Sequence, residues 1–253
     1  MRVAERGKAV AGAESGEQHG AKLPRYDEGA VAIYGESYAA RYSSLYITPW
    51  PRKHALNATN LARILDALPA AEPSWLDLAC GQAWHFSMFS GRARMVGLDL
   101  SHAQLMRARR RAPEAAFIRA DMSRAPFSAG SIDLLTNFWA GYCYLDSWQR
   151  IGSMLSDALS WIRPGGALYL EVLLARDLET FNRSRFSNGT GFIVVPRSAD
   201  CTDWRYDDVG GQHIMTSPPL EFFLDLLAPE FHHIDAQHDS AFMVHLIATK
   251  RKG

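Results

Sequence analysis

The sequence predicts a doubly wound α/β fold: a mostly parallel sheet with helices on both faces and a closing antiparallel strand pair. Three observations predict it. Short apolar runs alternate with helical patterns through the middle of the chain, the mark of successive βαβ units. The first run, Trp75-Leu76-Asp77-Leu78, breaks into the small residues Ala79, Cys80 and Gly81, where a strand would turn into a helix. Acidic residues stand at the ends of three successive runs, at Asp77, Asp99 and Asp121.

Residues 1–28, rich in Ala, Gly, Glu and Lys, predict a poorly ordered tail ahead of one domain over 29–253. Tyr34, Tyr38, Tyr42 and Tyr46 recur at steps of four, an aromatic stripe down one helix face, within an N-terminal helical cap over 29–70. Such a stripe is commonly core packing. A helix from about Arg52 to Leu68 follows, with Asn57, Asn60 and Arg63 expected to face solvent, and Pro69 and Pro73 lead into the first strand. After the small-residue turn, Trp84-His85-Phe86 is expected to open a helix whose N–H groups face the carboxyl end of the sheet.

The second strand ends Val96-Gly97-Leu98-Asp99, and the basic run Arg107 to Arg111 falls on the next helical pattern as a solvated face. Ala116 to Asp121 is the third strand. The fourth, Ser131 to Asn137, runs into Phe138-Trp139-Ala140-Gly141-Tyr142-Cys143-Tyr144-Leu145, at the sheet edge where doubly wound folds place ligands. Residues 173–217 mix aromatic and polar groups and read as an acceptor-side insert of irregular strands over a pocket mouth. Pro218-Pro219 begins a helix through Leu227, and Phe231–Ala236 with Phe242–Thr249 form the closing pair.

Composition excludes several classes. The chain has 27 Lys and Arg against 27 Asp and Glu, so it lacks the basic footprint of nucleic-acid binding. Its three cysteines, Cys80, Cys143 and Cys201, suit neither a disulfide framework nor a zinc site, and His232, His233 and His238 share no carboxylate cluster. No metal is expected. No run is long and apolar enough for a membrane span and no signal-peptide core is seen, so the expectation is a cytoplasmic protein with neither nucleic acid nor membrane as partner. Oligomeric state is not legible.

The strand-end acids point to a nucleoside. Asp99, at the tip of the second strand, is placed to accept both hydroxyls of a ribose, and Asp121 to accept from an adenine amino group. The fingerprint Gly-x-Gly-x-x-Gly is absent, so a pyrophosphate finds no close-approach loop. Asp77 would repel phosphates and attract an ammonium group.

Asp77-Leu78-Ala79-Cys80-Gly81-Gln82-Ala83, Asp99, Asp121-Met122 and Ile162-Arg163-Pro164-Gly165-Gly166 resemble the motifs of class I S-adenosylmethionine-dependent methyltransferases, over roughly residues 34–172. Tyr42-Ser43-Ser44-Leu45-Tyr46 and the Phe138–Leu145 stretch are similar to small-molecule N-methyltransferases of the glycine and amino-sugar type. The resemblance implies a Rossmann-like domain, S-adenosyl-L-methionine as cofactor, and methyl transfer to nitrogen or oxygen of a small molecule, such as a natural-product or amino-sugar intermediate. It assigns Asp77 to the methionine amino group, Asp99 to the ribose, and Asp121 with Met122 to adenine, and it counts Leu100 among the cofactor-binding residues. Ala79 and Gly81 form the close turn, Tyr46 faces the sulfonium, and Asn137 ends the strand beside it. Ala83 departs from the family's usual glycine, and a side chain there takes a positive φ at a cost. His85, Tyr144 and His213, with Tyr142, are the candidates for receiving the acceptor's proton. The other reading is a protein of this fold that binds S-adenosylmethionine without methylating, as a cyclase or a regulator.

Overall fold

The computed structural model describes residues 34–125, 127–174, 177–184, 187–188, 192–208, 211–238 and 243–253. The expected tail over 1–28 and Phe242 lie outside these residues. The tyrosine stripe forms α1 (Glu36–Tyr42), which widens into a single π turn over Ser43–Ile47. Helix α2 (Pro51–Ala67) starts with proline at its first position, where the missing N–H has no partner to lose.

Strands β1 (Ser74–Leu78), β2 (Arg94–Asp99), β3 (Ala116–Arg119), β4 (Ile132–Asn137) and β5 (Ile162–Leu173) pair in parallel. Helix α3 (His102–Arg111), capped by Ser101 on the Gln104 N–H, joins β2 to β3, and α4 (Trp148–Trp161), capped by Ser147, joins β4 to β5. After β5, the short α5 (Leu178–Asn182) precedes a separate antiparallel sheet of β6 (Ile193–Pro196), β7 (Asp203–Asp208) and β8 (Gly211–Thr216). The insert is thus a regular sheet. Helix α6 (Leu220–Leu227) leads back to β9 (Phe231–His238) and β10 (Met243–Arg251), which close the main sheet antiparallel.

The main sheet runs β3-β2-β1-β4-β5-β10-β9. Its order reverses between β1 and β4, the point at which doubly wound sheets hold ligands. Strand alternation sorts the core into two halves. Trp75, Leu134, Tyr169 and Ile247 pack with Leu61, Ile64 and Leu65 of α2, whereas Leu76, Leu135, Leu168 and Leu246 pack with Ile151, Met154 and Leu155 of α4. Helices therefore cover both faces.

Two sequence expectations fail here. No helix opens at Trp84-His85-Phe86; a single 3-10 turn covers Phe86–Met88. Ala83 at φ 53° and Gly91 at φ 74° bracket this segment in left-handed conformations that no helix contains, while Phe86 and Phe89 turn inward onto Trp75. The turn consequently has no helix end behind it. Asn57 and Asn60, expected in solvent, are buried and bonded to Glu171 and Tyr169 respectively, because α2 packs its polar flank against the end of β5. Arg63 is exposed as expected.

Gly97 shows how tightly the carboxyl end of β2 is built. A Cβ there would lie 2.7 Å from Cys80 Sγ and 2.9 Å from the Phe117 ring. Gly97→Ala is therefore expected to destabilise the fold by about 1–3 kcal/mol, seen as a lowered urea midpoint with an unchanged slope. An unchanged midpoint would show that the two neighbours yield freely.

Candidate active site

The chain leaves β1 through three left-handed residues in alternation, Ala79, Gly81 and Ala83, at φ 54°, 52° and 53°. Each alanine in that region costs about 1–2 kcal/mol, which the packing of Ala83 beside Trp75, Phe86 and Phe89 holds in place. The Ala83 side chain thus points into the core. Around this turn opens a cleft of about 980 Å³, open to solvent and lined by Asp77, Ala79, Gly81, Asp99, Leu100 and Met122 among others.

Both strand-end acids are fixed by hydrogen bonds. Asp99 Oδ2 accepts the Gly81 N–H and Oδ1 the Ser101 N–H, each at 2.8 Å. Each oxygen keeps a lone pair for a hydroxyl donor. Trp75 Nε1–H donates to Thr136 Oγ1, whose hydroxyl donates to Asp77 Oδ1 at 2.6 Å. Burial, reinforced by the Asp99 and Glu171 charges, pushes Asp77 up to about 8, and burial raises Asp99 as well. Among the described residues neither acid has a salt-bridge partner, so each carboxyl is held toward its neutral form until a cation approaches. An ammonium or sulfonium group has the charge such a pocket favours.

The remaining cofactor candidates are placed differently. Asp121 caps the 3-10 turn Met122–Arg124 through the Ser123 N–H, and its side chain is not on the cleft wall. Asn137 is buried, donating to the Leu78 carbonyl and accepting the Tyr142 N–H, so it ties the ends of β1 and β4 together. Tyr46 lines a second chamber instead of the cleft, with its hydroxyl bound to Asp208.

That second chamber, of about 650 Å³, lies under the small sheet and shares Tyr34, Tyr42, Trp139 and Tyr144 with the cleft. Trp139 stands between the two. It and Ala140 are left-handed at φ 55° and 49°, a strained pair where the loop leaves β4. Glu171 Oε2 holds the Trp139 N–H at 2.6 Å, and Lys53 Nζ lies 4.2 Å from the ring centroid. Lys53 and Glu171 form a buried ion pair, joined by Asn57 and His245. Burial alone would raise the Glu171 carboxyl; Lys53 and His245 outweigh it and hold it at about 2.

The proton-receiving candidates separate clearly. His85 lines the cleft but packs against Phe138, ring centroids 4.1 Å apart and tilted by 40°, and burial lowers it to about 3, so it stays neutral and weakly basic. Tyr142 is buried, its hydroxyl accepting the Leu173 N–H. Tyr144 and His213 meet: the Tyr144 hydroxyl is 2.7 Å from His213 Nδ1, and His213 Nε2 is 3.0 Å from Asp208 Oδ1. Burial would raise Asp208; hydrogen bonds from His213, Tyr46 and Tyr38 reverse this and bring it to about 2. An ionised Asp208 assigns the proton to Nε2, which leaves the Nδ1 lone pair facing Tyr144.

Sequence reasoning missed Asp208, Lys53, Glu171 and Arg111. Arg111, expected on a solvated face, hydrogen-bonds the Gln82 carbonyl and Ser43 and lies over Trp84, clamping the turn. Glu171, a charge within an apolar strand, was the one visible signal. The others sit among ordinary polar neighbours.

A cleft lined by Asp77 and Asp99 thus opens at the switch point of the sheet. Residues 76–166 match the family model of the methyltransferase domain, and the fold is similar to that of class I S-adenosylmethionine-dependent methyltransferases. A curated relative, dTDP-3-amino-3,4,6-trideoxy-alpha-D-glucopyranose N,N-dimethyltransferase of Streptomyces venezuelae, is 26% identical over 141 residues, which are 55% of this chain and 58% of that protein. The chain thus spans little more than half of that relative. The S-adenosylmethionine-bound CalS10 of Micromonospora echinaspora, an amino pentose methyltransferase, superposes with a TM-score of 0.60 at 21% identity, over 85% of this chain and 96% of that one. DesVI of Streptomyces venezuelae gives 0.60 at 18% identity, over 82% and 98%. Among the described residues no helix is long and apolar enough to cross a membrane, and no His, Cys, Asp and Glu group is placed to hold a metal.

Proposed function

We propose that this protein transfers a methyl group from S-adenosylmethionine to nitrogen or oxygen of a small molecule, within a single domain over 29–253. The observation that carries the reading is the cleft lined by the buried Asp77 and the partly buried Asp99, neither of which has a salt-bridge partner among the described residues. Asp99 receives the ribose hydroxyls, Asp77 the methionine ammonium, and Met122 packs on the adenine, held there by the turn that Asp121 caps. Ala79, Gly81 and Leu100 shape the wall. Asn137 holds the two strand ends in register. When bound, the cofactor supplies an electrophilic methyl on a cationic sulfur. The chain's own task is alignment, which can supply several kcal/mol of the barrier, and receipt of a proton. The acceptor reaches the cleft past Trp139, from the chamber under the insert at 173–217 and beside the cap at 29–70. His213, through Tyr144, takes the proton; His85 is a neutral wall, and Tyr46 orients Asp208. A small-molecule partner, without nucleic acid or membrane, in the cytoplasm, suits the balanced charge.

The test is calorimetric titration with S-adenosylmethionine and S-adenosylhomocysteine, followed by transfer of a labelled methyl group to a panel of amines and alcohols. Binding of neither by folded protein overturns the reading. Binding of both with no transfer to any acceptor favours the non-methylating alternative.

The same titration has an expected pH dependence. Asp77 is largely protonated below its raised value of about 8 and must ionise to face an ammonium, so binding releases a proton. Affinity for S-adenosylhomocysteine should rise by up to about tenfold per pH unit between roughly pH 6 and 8, then level off. Asp77→Asn should flatten the profile. A flat wild-type profile would remove Asp77 from the ammonium site.

A further inference from the structure

The chamber behind Trp139 differs chemically from the cleft it adjoins. Its wall is made by Trp50, Trp139, Phe181, Phe192, Trp204 and Tyr206, with aliphatic residues such as Val194 and Met215 filling the gaps. Among the described residues no Lys, Arg, Asp or Glu lines it. A diphosphate would enter without a counter-charge, and each unpaired charge moved from water into such a wall is strongly disfavoured. The chamber is open to solvent, and its aromatic rings offer flat faces to a planar ligand.

Polar groups gather at the junction with the cleft. Tyr34 and Tyr206 hydroxyls lie 2.6 and 2.7 Å from the Tyr144 oxygen, and Tyr144 donates to His213. Behind His213, Asp208 also accepts from Tyr38 at 2.7 Å and from Tyr46. The His213 ring is stacked on Tyr206 at 3.9 Å, which fixes its plane. A neutral amine attacks with its lone pair and needs no proton removed beforehand, whereas a hydroxyl gains from a base in place. The Tyr144–His213–Asp208 chain is such a base, and it stands at the mouth of an apolar chamber.

Resting on the methyltransferase reading, we propose that the acceptor is an uncharged, planar, ring-bearing molecule methylated on a phenol or enol hydroxyl, held in the Trp139 chamber and deprotonated through Tyr144 by His213. The acceptor hydroxyl takes the position of the Tyr34 hydroxyl beside Tyr144. Its O–H bond breaks, the proton passes to the Tyr144 oxygen, and the Tyr144 proton moves to His213 Nδ1. The new O–CH3 bond forms as the S–CH3 bond breaks. The donor leaves as a neutral thioether, and the positive charge ends on the imidazolium facing Asp208. Asp208 acts through His213 and is a positioning residue.

The experiment uses the full chain saturated with S-adenosylhomocysteine, which separates loss of the cofactor site from loss of the acceptor site. 2-Naphthol and thymidine diphosphate are titrated separately, with quenching of the chamber tryptophans as the readout. Naphthol should quench saturably and the nucleotide should neither quench nor compete. Phe192→Leu, a mild change chosen to preserve folding, should weaken naphthol by about threefold and Phe192→Ala by about tenfold, with cofactor affinity unchanged. Binding of the nucleotide in competition with naphthol, or binding of neither by the cofactor-loaded protein, overturns the apolar acceptor. With S-adenosylmethionine, Asp208→Asn should slow naphthol methylation by about a hundredfold in kcat while KM changes little. Equal methylation of 2-naphthylamine and 2-naphthol, both indifferent to Asp208→Asn, overturns the hydroxyl assignment.

Discussion

Lys53→Met is expected to lower the free energy of unfolding by about 3–5 kcal/mol at pH 7, because it leaves the Glu171 carboxylate buried without its cation. Lys53 and Glu171 are 4% and 0% exposed, so water cannot take the ammonium's place. The remaining partners of Glu171, including Asn57 and the Trp139 N–H, do not replace a full charge. A pH signature identifies the mechanism. Glu171 is depressed to about 2 in the folded protein, so its contribution is present above the ordinary glutamate value of about 4.5 and is lost as pH falls toward 2. The gap between wild type and Lys53→Met should therefore be widest near neutrality and close through that window, since a protonated Glu171 needs no cation. Lys53→Met combined with Glu171→Gln should recover part of the loss. A deficit that is constant with pH would point to lost packing of the lysine stem. The same variant should disturb transfer more than cofactor binding, because Glu171 holds the strained Trp139 between the two chambers.

Asp99→Ala is expected to weaken S-adenosylmethionine by about ten- to a hundredfold, as charge-assisted hydrogen bonds to a ribose contribute about 1.5–3 kcal/mol. S-adenosylhomocysteine carries the same ribose and should lose the same factor. That equality distinguishes Asp99 from Asp77, which faces the charged end of the ligand. Asp99 also accepts the Gly81 and Ser101 N–H groups, so its loss releases the left-handed turn. Asp99→Asn should bind almost as poorly, because its amide nitrogen would face one of those two N–H donors. An affinity within twofold of wild type in either variant would remove Asp99 from the ribose site. The measurement is calorimetric, with thermal unfolding run alongside to show that the variants are folded.

Much of the frame was legible because it rests on short-range pattern. Asp77 and the small turn after it are a local motif, Asp99 ends the next apolar run, and the closing pair β9–β10 falls on the runs that the sequence marks as strands. The missing helix after Ala83 was not legible. Trp84, His85 and Phe86 have the composition of a helix start, and only the backbone shows Ala83 left-handed with Phe86 and Phe89 drawn under Trp75. Asn57 and Asn60 misled for a related reason: a polar side chain on a helix reads as exposed until its buried acceptor is known.

The sequence by itself determined the fold class, the cofactor class and two of the acids that face the cleft, since each is written in periodicity or in a local motif. Tertiary structure alone decided the chemistry of the acceptor side. Tyr144 and His213 are 69 positions apart, and Lys53 and Glu171 are 118 apart. No periodic pattern spans such distances. They meet because the sheet returns β5 beside α2 and lays the β7–β8 hairpin over the end of β4, where low dielectric couples groups that an extended chain keeps apart.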